Sequence, residues 1–118
     1  MTCKVIAEGS YLPDLLVSNN DLSNILDTSD NWIITRTGIK QRYFASMSTF
    51  DMAKLASENL FANYEVDKDT IDLIIVTTCT AELSFPTIAA KIANHFSIKS
   101  TPALDINAVC SGFIYGID

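Results

Sequence analysis

Apolar residues form short runs at three places in the chain, and each run predicts a β-strand. These runs lie at 4–10, 71–80 and 103–106. The second contains Leu73-Ile74-Ile75-Val76, a continuous apolar stretch that is typical of a strand covered on both faces in a parallel sheet. Residues 40–45 predict a short strand or an extended loop.

Between these strands, apolar residues recur at helical spacing behind side chains that cap helices. Residues 18–21 precede a first short helix with apolar positions at Leu22, Ile25 and Leu26. Residues 27–30 cap a second helix, which ends just before Gly38.

Two longer helices are predicted farther along the chain. Ser48 or Thr49 caps the third helix, in which Met52 and Leu55 are expected to face the core. Pro86 is expected as the first residue of the fourth, whose apolar positions are Ile88, Ala89, Ile92, Ala93 and Phe96. The alternation of strands and helices predicts an α/β fold.

Length and charge narrow the class of protein. A chain of 118 residues forms one domain at most, and its 48% hydrophobic residues are typical of a globular chain. The net charge is −6 and the 8 basic residues are scattered singly, which argues against a nucleic-acid surface. No apolar run approaches a membrane span in length, and the N-terminus lacks the apolar region of a secretory signal.

The cysteines indicate a reducing compartment. Cys3, Cys79 and Cys110 are an odd number without a C-x-x-C pair, so neither a disulfide framework nor a zinc site is predicted. We therefore expect a cytoplasmic protein with no metal.

Cys110 lies where the last predicted strand passes into small residues that predict a helix start. The N-terminal end of a helix carries unpaired N–H groups and about half a positive charge, and both favour the nucleophilic thiolate. Ser111 and Gly112 leave space around the sulfur, and the N–H of Cys110 is placed to help hold an oxyanion. The alternative is that Cys110 is a small buried hydrophobic residue.

Two other chemically reactive side chains, Cys79 and His95, are expected to have structural roles and no catalytic role. Cys79, at the C-terminal end of the strand at 71–80, is expected to be a packing residue because no base or partner cysteine accompanies it. His95 is the only histidine, late in the fourth helix and remote in sequence from Cys110. It is expected to be a surface or capping residue and not a catalytic base.

Thr28, Trp32 and Arg36 are spaced four residues apart, so on a helix they share one face. An indole can stack on a base and a guanidinium can pair with a phosphate through two hydrogen bonds, which suits a nucleotide. The alternative is that Trp32 anchors the core and Arg36 is a solvated cation.

Four stretches resemble β-ketoacyl-acyl carrier protein synthase III, a family of thiolase-fold condensing enzymes. They are Gly-Ser-Tyr-Leu-Pro at 9–13, Asp-Thr-Ser-Asp-Asn-Trp-Ile-Ile-Thr-Arg-Thr-Gly-Ile at 27–39, Phe-Pro-Thr at 85–87, and Asp-Ile-Asn-Ala-Val-Cys-Ser-Gly-Phe-Ile-Tyr-Gly at 105–116. The resemblance implies a thiolase-like α/β fold with a mixed, largely parallel sheet and helices on both faces.

The resemblance also implies roles for particular residues. Cys110 would be the nucleophile, and Thr28, Trp32 and Arg36 would line the mouth of a coenzyme A tunnel, with Trp32 against the adenine. Phe85 would reach across a homodimer interface and cap the acyl pocket of the other subunit. Without the resemblance, a Phe just ahead of a helix is expected to pack on that helix.

The implied reaction starts type II fatty acid synthesis. Cys110 takes the acyl group of a short acyl-CoA as a thioester. Malonyl-acyl carrier protein then loses carbon dioxide, and its carbanion attacks the thioester. No cofactor is needed, since acyl-CoA is a substrate, and the partners are acyl-CoA, malonyl-acyl carrier protein and a second subunit.

Family enzymes are well over twice as long as this chain. Residues 1–118 would correspond to an incomplete N-terminal thiolase-like domain, without the C-terminal half that supplies the catalytic His and Asn. The 118-residue piece alone is therefore expected to be inactive.

Three alternatives stay open at this point. One is another coenzyme A-dependent condensing enzyme, such as a hydroxymethylglutaryl-CoA synthase-like protein. The second is a truncated, non-catalytic product that at most binds coenzyme A. The third is an interaction piece that dimerises through the region of Phe85.

Overall fold

The computed structural model describes residues 4–118, so Cys3 lies outside the described residues. In chain order the elements are β1 (Leu15–Ser18), α1 (Asn19–Ser23), α2 (Asp30–Thr37), β2 (Gln41–Phe44), α3 (Thr49–Asn63), β3 (Ile74–Thr77), α4 (Ile88–His95), β4 (Ala103–Ile106) and α5 (Gly112–Ile117), with 3₁₀ turns at Lys68–Thr70 and Val109–Ser111. They form two compact units. Leu12–Ser46 is one, and the residues up to Tyr11 together with Met47–Asp118 are the other.

The smaller unit is an antiparallel strand pair with two short helices. β1 and β2 pair with Leu15 opposite Phe44 and Ser18 opposite Gln41. Ser18 caps α1 through a capping box with Asp21, as the residues at 18–21 predict. The helix ends at Ser23, so the predicted apolar positions Ile25 and Leu26 lie outside it and are exposed.

Both ends of α2 agree with the sequence prediction. The Ser29 hydroxyl accepts a hydrogen bond from the Trp32 N–H at the first turn. Gly38 ends the helix with a φ of 72°, a left-handed conformation that glycine adopts without steric cost.

The larger unit is built on the parallel pair β3–β4, with Ile74 opposite Ala103 and Thr77 opposite Ile106. Its two faces carry different helices, because alternate side chains of β3 point to opposite sides. Ile74 lines an apolar cavity with Ile92 of α4, whereas Thr77 meets α5. The buried apolar residues described in this unit are Ile88, Ala89, Ile92 and Ile98.

α3 packs against α4 through ring and polar contacts. The Phe61 and Phe96 ring centroids are 4.8 Å apart, and Glu58 Oε1 lies 3.0 Å from His95 Nε2. The cap at Ser48 is confirmed. Met52 and Leu55, which were expected to be core residues, are half-buried, and no residue of α3 is fully buried.

The strand predicted at 4–10 is also wrong. Residues 4–10 have no regular secondary structure, and Val5 and Ile6 are exposed. A strand requires a neighbouring strand for its backbone hydrogen bonds. Here the Ser10 N–H donates instead to the Asn59 side chain of α3.

The fourth predicted helix begins later than expected. Thr87 is its N-cap and accepts a hydrogen bond from the Ala90 N–H, so the helix begins at Ile88. Pro86 therefore lies before the cap, and its assignment as the first helical residue is wrong. The strand predicted over 71–80 is likewise shorter, at Ile74–Thr77.

Across residues 4–118, none of the helices is both long enough and apolar enough to cross a lipid bilayer.

Candidate active site

Cys110 lies in the 3₁₀ turn Val109–Ser111, between the end of β4 and the start of α5 at Gly112. Its thiol is free and exposed. The alternative of a small buried hydrophobic residue is therefore wrong. An exposed thiol beside a helix start has the access that an acyl-accepting nucleophile requires.

The residue before Cys110 has an unusual backbone. Val109 has a φ of 47°, a left-handed value that is rare for a β-branched residue. Such residues persist only where the surrounding structure enforces them, and they cluster at active sites. This residue opens the 3₁₀ turn Val109–Ser111, which carries Cys110 between the end of β4 at Ile106 and the start of α5. No periodicity or composition signal in the sequence indicates this conformation.

Two glycines let α5 lie close to β3. A Cβ atom at Gly112 would be 3.2 Å from Thr77 Cβ, and one at Gly116 would be 2.8 Å from Thr77 Cγ2. Their spacing of four places both on one face of the helix. The close approach fixes the start of α5, and therefore the position of the turn that carries Cys110.

Asp105 joins the Cys110 strand to α4. Its carboxylate oxygens accept hydrogen bonds from the backbone N–H groups of Ile88 and Ala89, each at 2.8 Å. The only sequence signal that Asp105 makes such a connection is a charged residue inside an apolar strand. The two N–H groups that it binds lie 16–17 residues away, so the sequence does not indicate them.

The loop after β3 forms a crevice beside β4. Cys79 lines this cavity of about 250 Å³ with Asp105 and Asn107. Cys79 is exposed, so its assignment as a packing residue is wrong. The physical reason is that β3 ends at Thr77, which leaves Cys79 in the loop and outside the apolar layer.

Glu82 attaches the same loop to the start of α3. Its carboxylate accepts a hydrogen bond from the Phe50 N–H at 3.1 Å and lies 3.6 Å from Lys91 Nζ. Desolvation acts to raise the pKa of Glu82, but hydrogen bonds from backbone N–H groups, led by that of Phe50, hold it below its ordinary value. Thr49 adds a hydrogen bond to the Thr80 carbonyl at 2.8 Å.

Phe85 is the most exposed large hydrophobic residue described, at 84%. It precedes the Thr87 cap of α4 and does not pack on that helix, so the alternative of a hydrophobic staple is wrong. An exposed phenyl ring is available to another surface.

In the smaller unit, α2 brings two of the predicted coenzyme A residues into contact. The Arg36 guanidinium lies over the Trp32 ring, 4.3 Å from its centroid. Trp32 is 51% exposed, so the alternative of a core anchor is wrong. The pair offers an aromatic plane and a cation on one exposed helix face.

Thr28 is placed differently from the expected face. It precedes the Ser29 cap and so lies outside α2. Its hydroxyl oxygen is buried and has no hydrogen-bond partner among the described residues. Only Trp32 and Arg36 therefore share a helix face.

His95 is the last residue of α4 and pairs with Glu58, in agreement with its assignment as a surface or capping residue. In the part of the chain that the structure describes, no cluster of three or more His, Cys, Asp or Glu side chains is arranged to hold a metal ion.

A parallel strand pair between helices, with a cysteine after the second strand, is the arrangement of the thiolase-like fold, and solved structures confirm this class. The 3-oxoacyl-[acyl-carrier-protein] synthase III of Aquifex aeolicus matches with a TM-score of 0.85 and 42% identity over 95% of this chain and 37% of that one. The enzyme of Thermus thermophilus matches with a TM-score of 0.85 and 39% identity over 96% of this chain and 36% of that one.

Sequence comparison leads to the particular enzyme type. The chain is 44% identical to the β-ketoacyl-[acyl-carrier-protein] synthase III of Rickettsia bellii over 99% of its own length and 38% of that protein. It thus resembles the N-terminal portion of this enzyme type and spans well under half the length of the curated relatives it matches. No family model matches the chain.

Proposed function

We propose that residues 1–118 form an incomplete N-terminal thiolase-like domain of a β-ketoacyl-acyl carrier protein synthase III-type acyltransferase, with Cys110 as the acyl-accepting residue. One observation carries the proposal: the free, exposed thiol between β4 and α5, in a chain 44% identical to an enzyme of that name. The synthase III name of the relatives favours this enzyme over a hydroxymethylglutaryl-CoA synthase-like one.

The first step is acylation of Cys110. The thiolate attacks the carbonyl carbon of a short acyl-CoA, and a new C–S bond forms as the bond to coenzyme A breaks. The departing coenzyme A thiolate takes up the proton that Cys110 gave away. We assign the backbone N–H of Cys110 to stabilise the oxyanion of the tetrahedral intermediate, because the N–H groups of Ser111 and Gly112 already donate to backbone carbonyls of the 3₁₀ turn.

The second step needs groups from outside this chain. Malonyl-acyl carrier protein loses carbon dioxide, and the resulting carbanion attacks the Cys110 thioester, which returns the thiolate and leaves a β-ketoacyl-carrier protein. The enolate oxygen requires hydrogen-bond donors, which we assign to a His and an Asn beyond residue 118. His95 does not supply this role, because it pairs with Glu58 at the far end of α4.

Coenzyme A recognition is assigned to Trp32, Arg36 and Thr28. The exposed indole of Trp32 supports stacking with the adenine, and Arg36 beside it is a donor for a phosphate. Because Arg36 rests on the Trp32 ring, the base would use the free face of the indole or displace the guanidinium. The Thr28 hydroxyl oxygen is buried and lacks a hydrogen-bond partner among the described residues, so we assign Thr28 to the wall of the coenzyme A site and not to a direct polar contact.

Phe85 is assigned to the acyl pocket of a second subunit in a cytoplasmic homodimer. Its 84% exposure supports this assignment, because a phenyl ring gains free energy when a partner surface covers it. The reaction uses acyl-CoA as a substrate and involves no metal or redox cofactor.

The proposal is tested with the full-length protein, incubated with acetyl-CoA and analysed by mass spectrometry of its peptides. We expect an acetyl thioester on Cys110, its complete loss in Cys110→Ser, and its retention in the matched control Cys79→Ser. The 118-residue chain alone should release no carbon dioxide from malonyl-carrier protein. An adduct on Cys79, or one that survives Cys110→Ser, would overturn the assignment.

A further inference from the structure

We propose that Asp105 is a positioning residue that sets the place of Phe85, and thereby the acyl-chain selectivity of the enzyme. The inference rests on the proposed function, in which Phe85 caps an acyl pocket. It assigns a role to the first residue of the Cys110 segment, which does not itself touch the reacting atoms.

The first support is the geometry of the carboxylate. Both of its oxygens are used, one by the Ile88 N–H and one by the Ala89 N–H, each at 2.8 Å. These N–H groups belong to the first turn of α4, where no intrahelical acceptor exists. A carboxylate that accepts two N–H bonds holds both the position and the direction of the helix start.

The second support is the place of Asp105 in the sheet. It lies in β4 opposite Val76 of β3, so its backbone is held by the parallel pair. It also lines the crevice beside Cys79 and Asn107. The side chain therefore connects the sheet, whose strand β4 leads to Cys110, with a helix that begins just after Phe85.

The third support is the exposure of the segment that Asp105 holds. Phe85 is 84% exposed and α4 begins three residues later, so packing within the chain does little to fix the ring. Its position therefore depends on the attachments of the segments on either side, which are the bond of Glu82 to α3 before Phe85 and the bonds of Asp105 to α4 after it. The Thr87 cap is local to the helix, whereas Asp105 is the attachment to the sheet.

The test is the ratio of kcat/KM for acetyl-CoA to kcat/KM for hexanoyl-CoA, measured with the full-length enzyme. Asp105→Asn keeps the shape of the side chain but turns one acceptor into a donor, which cannot pair with an N–H group. We expect the ratio to change by about fivefold or more, since pocket contacts with a few methylenes set selectivity of that order. Asp105→Glu, which keeps the charge but lengthens the side chain, should also move the ratio and is the second variant if Asp105→Asn folds poorly.

The matched control is Asp51→Asn, which removes another helix-start carboxylate of the same unit, bonded to the Ser48 hydroxyl at 2.7 Å. A merely destabilising change reduces both rates equally and leaves their ratio unchanged. In a Phe85→Ala background the effect of Asp105→Asn on the ratio should disappear, because the two residues act as one unit.

The outcomes separate the two proposals. Absence of an acetyl adduct on wild-type Cys110 would overturn the proposed function, and this inference with it. An active wild type whose selectivity ratio is the same in Asp105→Asn and Asp51→Asn would overturn the inference alone. The inference would also be overturned if the change in the selectivity ratio in the double variant equalled the product of the changes in Asp105→Asn and Phe85→Ala.

Discussion

Val109 shows how a single backbone angle prepares the candidate nucleophile. Its φ of 47° costs about 1–3 kcal/mol for a non-glycine residue. The side chain is 72% exposed, so little apolar burial offsets that cost locally. The packing of β4 and α5 on either side must therefore maintain the conformation of the turn that carries Cys110.

Replacing Val109 with glycine should stabilise the chain. Glycine adopts a positive φ without steric cost, so the substitution removes the backbone strain. Ordering the more flexible glycine on folding costs about 0.5–1 kcal/mol. We therefore expect the free energy of unfolding to rise by about 1 kcal/mol. The measurement is the free energy of unfolding in urea. Val109→Ala is the control, because it also removes the exposed side chain but keeps a Cβ. Equal stability of the two variants would show that Val109 is unstrained.

At the scale of the element, two glycines without side chains allow α5 to lie close to β3. Gly112 and Gly116 face Thr77, and this spacing permits a closer helix–strand contact than any larger residue allows. Glycine inside a helix costs about 1 kcal/mol relative to alanine. The stabilisation from the close helix–strand contact therefore outweighs the low helix propensity of glycine.

Gly116→Ala should destabilise the larger unit despite its better helix propensity. The new methyl group would lie 2.8 Å from Thr77 Cγ2, and overpacking of this kind costs about 1–3 kcal/mol. Thr77→Ser removes that Cγ2 atom and should restore most of the lost stability in the double variant. Thermal unfolding of the four proteins in the cycle measures the coupling. Additive effects would mean that α5 is not seated on Thr77.

The chain as a whole combines two compact units whose carboxylates cap their helices. Asp21 in the smaller unit and Asp51 in the larger accept hydrogen bonds from Ser18 and Ser48, and these bonds lower the pKa of each carboxyl group below its ordinary value. Glu82 has a lowered pKa as well. In the folded chain these groups stay ionised at a pH where the unfolded chain takes up protons.

Stability should therefore fall in acid in both units. A group with a lowered folded pKa stabilises the fold above its unfolded pKa, and that contribution is lost as the pH falls through the folded pKa. With ordinary values of 3.8 for Asp and 4.5 for Glu, the loss begins below about pH 4.5 and continues under pH 3.8. Urea midpoints between pH 7 and pH 3 measure it.

Variants separate this contribution from general acid effects. Asp21→Asn, Asp51→Asn and Glu82→Gln should each flatten the decline of stability below pH 4.5. The control is Glu65→Gln, an exposed carboxylate in the loop after α3 that takes no part in these hydrogen bonds. A decline equally steep in all four variants would show that the capping carboxylates do not cause it.

Features with nearby partners were predictable from sequence. The caps at Ser18, Ser29 and Ser48 and the stop at Gly38 bond to groups within four residues, so short windows of sequence contain both partners. The strands β3 and β4, and the turn with Cys110 after β4, were also predicted from local patterns, but the pairing of these two strands with each other was not. The resemblance that implies the thiolase-like fold rests on residue identities in four short stretches, at 9–13, 27–39, 85–87 and 105–116.

Features with distant partners depended on folding. The segment 4–10 has strand propensity, but the Ser10 N–H donates to the Asn59 side chain and not to another strand. Pro86 lies outside α4 because Thr87 and Asp105 accept the first N–H groups of that helix. The exposure of Cys79 and Phe85 and the left-handed φ of Val109 likewise depend on how the elements pack in the folded chain. A linear pattern records local propensity and burial preference, whereas hydrogen bonds and close packing across many residues exist only once the chain has brought those groups together.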